Sequence, residues 1–239
     1  MIIKILVTAH KPYWFPENAA YLPLQVGAAG KADILPGIAR DDSGENISER
    51  NRTFCELTGL FWAWKNLDAD IIGLCHYRRY FQLNGKIMDK KMAECLLIDY
   101  PVILPVKRSY YIETAYTQYI HAHGKESIDT ARQVIVEFYS EYLESFDKAM
   151  NKRSLHIYNM FVMRKDIMDD YCKFLFDVLF KVEERITVSD RIFGYLGERL
   201  LDVYILKNNI RYWELPVYSD EKINWPEKIW AFFEKEIHI

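Results

Sequence analysis

This sequence predicts an α/β fold, with a mostly parallel or mixed central sheet flanked by helices, and three features carry that expectation. The run Ile71-Ile72-Gly73-Leu74-Cys75 is apolar throughout, too short for a helix and without polar alternation, which suits a strand covered on both faces. Segments with strand and helix patterns alternate along most of the chain. Two strand-like runs end abruptly in polar and aromatic side chains, His10-Lys11-Pro12 and His76-Tyr77-Arg78-Arg79, and open α/β sheets bind ligands outside the carboxyl ends of their strands. At 239 residues, the chain fits one large domain over 1–239.

Residues 2–9 read as the first strand, closed by Pro12, which cannot donate to a ladder. Residues 41–48 are a loop by composition, and 51–66 follow as a helix in which Leu57, Leu60, Phe61 and Trp64 recur at helical spacing. The strand at 71–75 comes next, then a helix near 90–98 and a proline-bracketed strand over 101–105. Residues 112–150 read as mainly helical with a break at Gly124, and Ser127 is a plausible cap for a helix over 128–144. Residues 155–163 return to strand, 166–184 and 193–207 to helix, and 210–217 to strand. A final aromatic-rich helix over 226–237 begins with a proline near its first turn.

Half of the residues are hydrophobic and 15% aromatic, including 17 Tyr and 6 Trp, enough for a sizeable core and for amphipathic rings along a polar groove. The net charge of −3 lacks the basic excess of a nucleic-acid binder, so any anion site must be local. Cys55, Cys75, Cys95 and Cys172 lie far apart in apolar stretches without CxxC spacing, which implies a reduced, cytoplasmic protein. The N-terminal run lacks a cleavage region, and no apolar stretch approaches the roughly 20 residues of a spanning helix. In the last segment Trp225, Ile229, Trp230, Phe232, Phe233 and Ile237 accompany Lys222, Lys228 and Lys235, as in an interfacial helix giving weak peripheral contact with the inner face of the plasma membrane. Glu227, Glu234 and Glu236 cancel that charge, and packing on the core is the competing reading.

Arg78 and Arg79 carry the chemistry most directly. Forked, permanently charged guanidiniums match phosphate oxygens and point to a diphosphate-bearing ligand, against the blander alternative of a solvated basic turn. Asp68-Ala69-Asp70 satisfies the Asp-x-Asp pattern of cation-dependent sugar transferases, yet it precedes the apolar strand and so belongs at its amino end, away from the cleft. His121-x-His123 is better explained by a helix end than by metal ligation. No obligatory metal or cofactor is expected. The glycine-rich dinucleotide, P-loop and hydrolase motifs are absent from the sequence. Within the strand pattern at 155–163, Asn159 either pins a neighbouring loop or meets a substrate hydroxyl, since a buried amide must be hydrogen-bonded. Glu198 follows Gly194 and Gly197 at what reads as a helix start, where it serves the helix dipole or takes a proton at a cleft edge.

Five blocks taken together resemble a bacterial family encoded in capsule and exopolysaccharide loci and long catalogued as a domain of unknown function. They are Asp42-x-Gly44-Glu45-Asn46-Ile47-Ser48, Glu56-Leu57-Thr58-Gly59-Leu60-Phe61-Trp62-Ala63-Trp64-Lys65-Asn66, His76-Tyr77-Arg78-Arg79-Tyr80-Phe81, Tyr158-Asn159-Met160-Phe161 and Gly194-Tyr195-Leu196-Gly197-Glu198-Arg199-Leu200. The resemblance covers about 4–217. It implies a GT-A-like glycosyltransferase, with UDP-galactofuranose as the first donor to consider and a growing, polyprenyl-linked capsule, exopolysaccharide or O-antigen saccharide as acceptor. On that reading, His10, the loop bearing Asn46 and Ser48, Glu56, Arg78 and Arg79 contact the donor. Tyr77, Asn159 and His156 meet the acceptor. His76 and Glu198 are catalytic candidates with Asp190 as the competing acid, and arginines stand where relatives of the fold use a metal. Sugar-1-phosphate transfer would use the same arginines, and a saccharide-binding protein without chemistry is the non-enzymatic alternative.

Overall fold

Strand β1 (Ile3–Ala9) is buried along its length except for the half-exposed Lys4, and the sheet grows outward from it. The computed structural model describes residues 1–220. After β1 come β2 (Tyr21–Gln25), β3 (Ala39–Arg40), α1 (Asn51–Phe54), α2 (Leu57–Asn66), β4 (Ile71–His76), β5 (Arg79–Leu83) and β6 (Lys86–Ile87). The middle of the chain forms α3 (Lys90–Asp99), β7 (Val102–Pro105), β8 (Arg108–Ser109), α4 (Ala115–His123), α5 (Glu126–Phe138) and α6 (Leu143–Met150). It closes with β9 (Ser154–Leu155), β10 (Phe161–Arg164), α7 (Lys165–Glu183), α8 (Ile192–Lys207), β11 (Tyr212–Leu215) and β12 (Val217–Ser219).

The central order is β11-β7-β10-β4-β1-β2-β3. Strand β10 runs antiparallel to both β4 and β7, while the other neighbours along this path are parallel, so the sheet is mixed. Period-two alternation explains why β1 and β4 contain so little polarity. Leu6, Ile72 and Leu74 face a helical layer that includes Leu60 of α2, Val134 of α5, Phe176 of α7 and Leu200 of α8. Ile5, Val7, Ile71 and Cys75 face the other layer, with Tyr77, Tyr80, Phe81 and Leu97 of α3. Among the described residues no helix is long and apolar enough to cross a membrane.

Four expected elements are broken, each for a physical reason. The helix expected over 51–66 divides at Cys55, whose φ of 52° and ψ of −131° leave the helical region; the Asn51 amide donates to the Cys55 carbonyl at 2.7 Å and holds the break. The strand expected over 155–163 is interrupted by two consecutive left-handed residues, Tyr158 (φ 77°) and Asn159 (φ 51°). The strand over 210–217 divides at Pro216, after which β12 pairs antiparallel with β5. The helical stretch at 112–150 is three helices, and Ser127 is not a cap. Its hydroxyl is buried against that of Tyr119 at 2.8 Å, whereas Thr114 and Thr117 form a capping box on α4. The helix expected over 226–237 lies outside the described residues.

One buried carboxylate fastens the loops after β2 and β3 to α2. Asp41 accepts from the backbone N–H groups of Gly27 (2.9 Å) and Ala28 (3.0 Å), from the Ser48 hydroxyl and from the Thr58 hydroxyl at 2.6 Å. Truncation leaves these donors buried without a charged acceptor, which costs about 1–3 kcal/mol for each unsatisfied group. Asp41→Ala is therefore expected to lower unfolding free energy by at least about 2 kcal/mol in urea titrations. A change within about 0.5 kcal/mol, the range of a neutral surface substitution, would contradict this role.

Candidate functional site

A cleft of about 630 Å³ opens at the carboxyl ends of β1 and β4. Thr8 and His10 line it from β1 and the turn beyond, and His76, Tyr77, Arg78 and Arg79 from the end of β4 and the turn into β5. Arg52, Cys55 and Glu56 enter from the α1–α2 break, and Asp190, Arg191, Gly194, Tyr195 and Glu198 from the start of α8. Asp68 and Asp70 lie at the other end of β4, where Asp70 Oδ2 accepts the Ile2 N–H at 2.7 Å.

The left-handed pair between β9 and β10 organises the acidic side. Tyr158 donates its N–H to Glu198 Oε1 at 3.0 Å and presents its carbonyl to His76 Nε2 at 2.5 Å. A carbonyl only accepts, so this nitrogen of His76 carries a hydrogen. Asn159 follows and donates from its amide to Glu56 Oε1 at 2.6 Å and to the Gly194 carbonyl at 2.9 Å. His76 Nε2 is 4.0 Å from the same Glu56 oxygen. Glu56, His76, Glu198 and the start of α8 thus meet at two adjacent residues.

Close approach of α8 depends on its glycines. A Cβ at Gly197 would come within 2.9 Å of Leu57 Cδ1 and 3.1 Å of Asn159 Oδ1, and one at Gly194 within 3.3 Å of Cys55 Sγ. Both glycines lie inside α8, which starts at Ile192, so Glu198 stands in the second turn and the helix-start reading is corrected. Its second oxygen accepts from Arg199 Nη1 at 2.7 Å, and Arg199 is itself held by Gln118 Oε1 at 2.6 Å. The Glu198 side chain is only 18% exposed. Burial raises its pKa above the ordinary glutamate value, Arg199 opposes that shift, and the nearby Glu56 adds to it.

Guanidiniums form the opposite side. Arg78 lies 4.9 Å from the Tyr77 ring and Arg79 4.5 Å from the Tyr158 ring, distances typical of cation–π contact. Arg191 adopts a left-handed backbone (φ 63°) just before α8, and its guanidinium lies 5.2 Å from the Tyr195 ring. Arg52 pairs with Asp190 at 2.6 Å, but at 75% and 65% exposure this pair holds little energy. Burial lowers the pKa of His10, and Lys11 and Arg78 lower it further, which favours the neutral ring beside these cations.

The structure brings His10, Glu56, His76, Tyr77, Arg78, Arg79, Asp190 and Glu198 to one cleft. It does not bring Asn46, Ser48 or His156 to its lining. Asn46 bridges its own loop, donating to the Gly44 carbonyl and accepting from the Ser48 N–H, and the Ser48 hydroxyl is spent on Asp41 and the Ala29 N–H. His156 is fully buried between Asp202 (2.7 Å) and Glu214 (2.9 Å), so an acceptor has no access to its ring. Asn159 is 2% exposed, and its amide pins Glu56 and α8 from beneath, the first of its two sequence readings. Sequence reasoning missed Arg52, Cys55, Tyr158, Arg191 and Tyr195. Adjacency to Asp190 was the usable signal for Arg191, whereas nothing local marks Cys55 as a helix break.

The family described as "Domain of unknown function (DUF4422)" matches residues 4–209. The chain belongs to this family. Among solved structures, one described as the apo form of WbbM, a bifunctional glycosyltransferase, matches with a TM-score of 0.84 and 28% identity. The match covers 92% of this chain and 46% of that one, so the chain spans about half the length of its neighbour. No curated protein matches it significantly. The α/β, GT-A-like fold class expected from the sequence is the one found, and in this chain the arginine pair and Glu198 share one cleft.

Asn159 gives this geometry its most direct test. Asn159→Asp removes both donated hydrogen bonds and sets a second carboxylate against Glu56, so unfolding free energy should fall by about 2–4 kcal/mol at neutral pH. Repulsion raises the folded-state pKa of the pair, which confines the extra loss to pH values above the ordinary carboxylate range; the deficit should shrink towards about pH 4. Urea titrations at both pH values measure it, and a deficit independent of pH would contradict the contact.

Proposed function

We propose that this chain is a glycosyltransferase that moves a sugar from a nucleoside-diphosphate donor to a saccharide hydroxyl. The observation that carries the reading is Glu198: a largely buried carboxylate with a raised pKa, fixed by Tyr158 and Arg199, in the same cleft as Arg78 and Arg79. A base of raised pKa is a better proton acceptor near neutrality. Guanidiniums at a strand end suit a leaving diphosphate, whose developing charge they offset in the transition state. In a single displacement the acceptor oxygen attacks the anomeric carbon and its proton passes to Glu198. The bond from that carbon to the diphosphate oxygen breaks, its electron pair leaves with the nucleoside diphosphate, and the anomeric centre inverts.

The likeness to WbbM, described as a bifunctional glycosyltransferase, supports this reading without choosing between that protein's activities. A UDP-linked donor, with UDP-galactofuranose the first to try, and a polyprenyl-linked capsule, exopolysaccharide or O-antigen acceptor follow from the sequence resemblance. His76, with one nitrogen spent on the Tyr158 carbonyl, orients a sugar hydroxyl with Tyr77. Asp190, already engaged by Arg52 at the exposed rim, is the weaker candidate for the base. The arginines take the charge-offsetting role of a cation, and Asp68 and Asp70 take no part in it because they lie at the far end of β4.

Substituting the two sides of the cleft should separate turnover from binding. Glu198→Gln is expected to reduce turnover by about 10²–10⁴ with UDP affinity retained, whereas Arg79→Ala weakens UDP binding by about 1.5–3 kcal/mol. Because burial raises the Glu198 pKa, the acidic limb of the wild-type pH–rate profile should lie above the ~4.3 of a free glutamate, with activity lost as pH falls through it. Release of UMP in place of UDP, or near-normal turnover of Glu198→Gln, would overturn the mechanism.

A further inference from the structure

The β8–β9 ribbon is a two-stranded sheet apart from the central one, pairing Arg108 with Leu155 and Ser109 with Ser154. Tyr110 continues the ladder by donating its N–H to the Arg153 carbonyl at 2.8 Å. At the tip the chain reverses through Tyr111, which takes a left-handed φ of 54°, and the Ile112 N–H donates to the Tyr110 carbonyl at 2.6 Å. Such a backbone is disfavoured for a bulky side chain. Its result is two adjacent large apolar residues left in solvent, Tyr111 86% and Ile112 69% exposed, with Val106 half-exposed at the ribbon's base. Arg108, Lys152 and Arg153 are exposed around them, and among the described residues none of the three pairs with a carboxylate. Glu113, the acid in this loop, is occupied by His121 at 2.5 Å.

We infer that the ribbon tip is an anchor for an anionic bilayer surface, with Tyr111 and Ile112 entering the interfacial layer and Arg108, Lys152 and Arg153 meeting lipid phosphates. Charge and size select this occupant. A second protein copy needs about 800 Å² on each partner, far more than a two-residue tip supplies, and the cations around the tip favour an anionic surface over a neutral saccharide. A lipid surface needs only a few inserted side chains and a collar of cations, each of which strengthens partition about five-fold near anionic headgroups. The anchor does not depend on the transfer reaction.

Co-sedimentation of the full chain with phosphatidylcholine vesicles, with and without a quarter phosphatidylglycerol, tests it. Wild type should bind the anionic vesicles and bind the neutral ones at least about five-fold more weakly. Tyr111→Ser with Ile112→Ser should weaken anionic binding by about ten-fold or more, and Arg108→Glu with Lys152→Glu should abolish it. All four positions are exposed, so melting temperatures should match wild type, and a melt of each variant checks this. Absence of wild-type binding, or binding retained in both double variants, would overturn the anchor; the latter result would place the membrane contact elsewhere in the chain.

Discussion

Two left-handed residues in succession, Tyr158 and Asn159, are the constraint on which the cleft depends. Their backbone reversal aims the Tyr158 carbonyl at His76, its N–H at Glu198, and the Asn159 amide at Glu56 and Gly194. Asparagine tolerates this region better than most residues, but tyrosine adopts it at a cost. Ties to β4, α2 and α8 over-determine the turn and hold it there, as is common where backbone strain and a functional site coincide. The glycines of α8 belong to the same constraint, since a methyl group at 197 would collide with Leu57 and Asn159.

Charge is distributed so that opposite functions share one small volume. On one side, Glu198 is desolvated enough to raise its pKa while Arg199, braced by Gln118 on α4, keeps it oriented. On the other, Arg78, Arg79 and Arg191 each lie against an aromatic ring that orients the guanidinium plane. A chain of net charge −3 can therefore present a local anion site. The same economy governs His156, whose burial between Asp202 and Glu214 serves the joint of β9, α8 and β11.

What the sequence disclosed depended on the range of the forces involved. The block at 71–81 was legible because burial of a strand and exposure of its end are written in adjacent residues. Glu56 was named but set within one long helix, because the break at Cys55 is held by an amide four residues away and by no glycine or proline. Glu198 was found, yet its glycines suggested a helix start when they serve close packing against α2. Asn46 and Ser48 misled for the converse reason: polar loop residues look available until the fold engages them, Ser48 by the buried Asp41 and Asn46 by the backbone of its own loop. His156 gave no local warning at all, since its partners lie 46 and 58 residues away.

A crystal structure of the chain with UDP tests the central claim most directly, because it shows whether the arginine side of the cleft receives a diphosphate while the Tyr158–Asn159 turn keeps Glu198 in place. Diphosphate oxygens should lie within hydrogen-bonding distance of the Arg78 or Arg79 guanidinium, with Glu198 still accepting from the Tyr158 N–H. A diphosphate bound outside this cleft, or one held there by Glu198 through a cation, would contradict it.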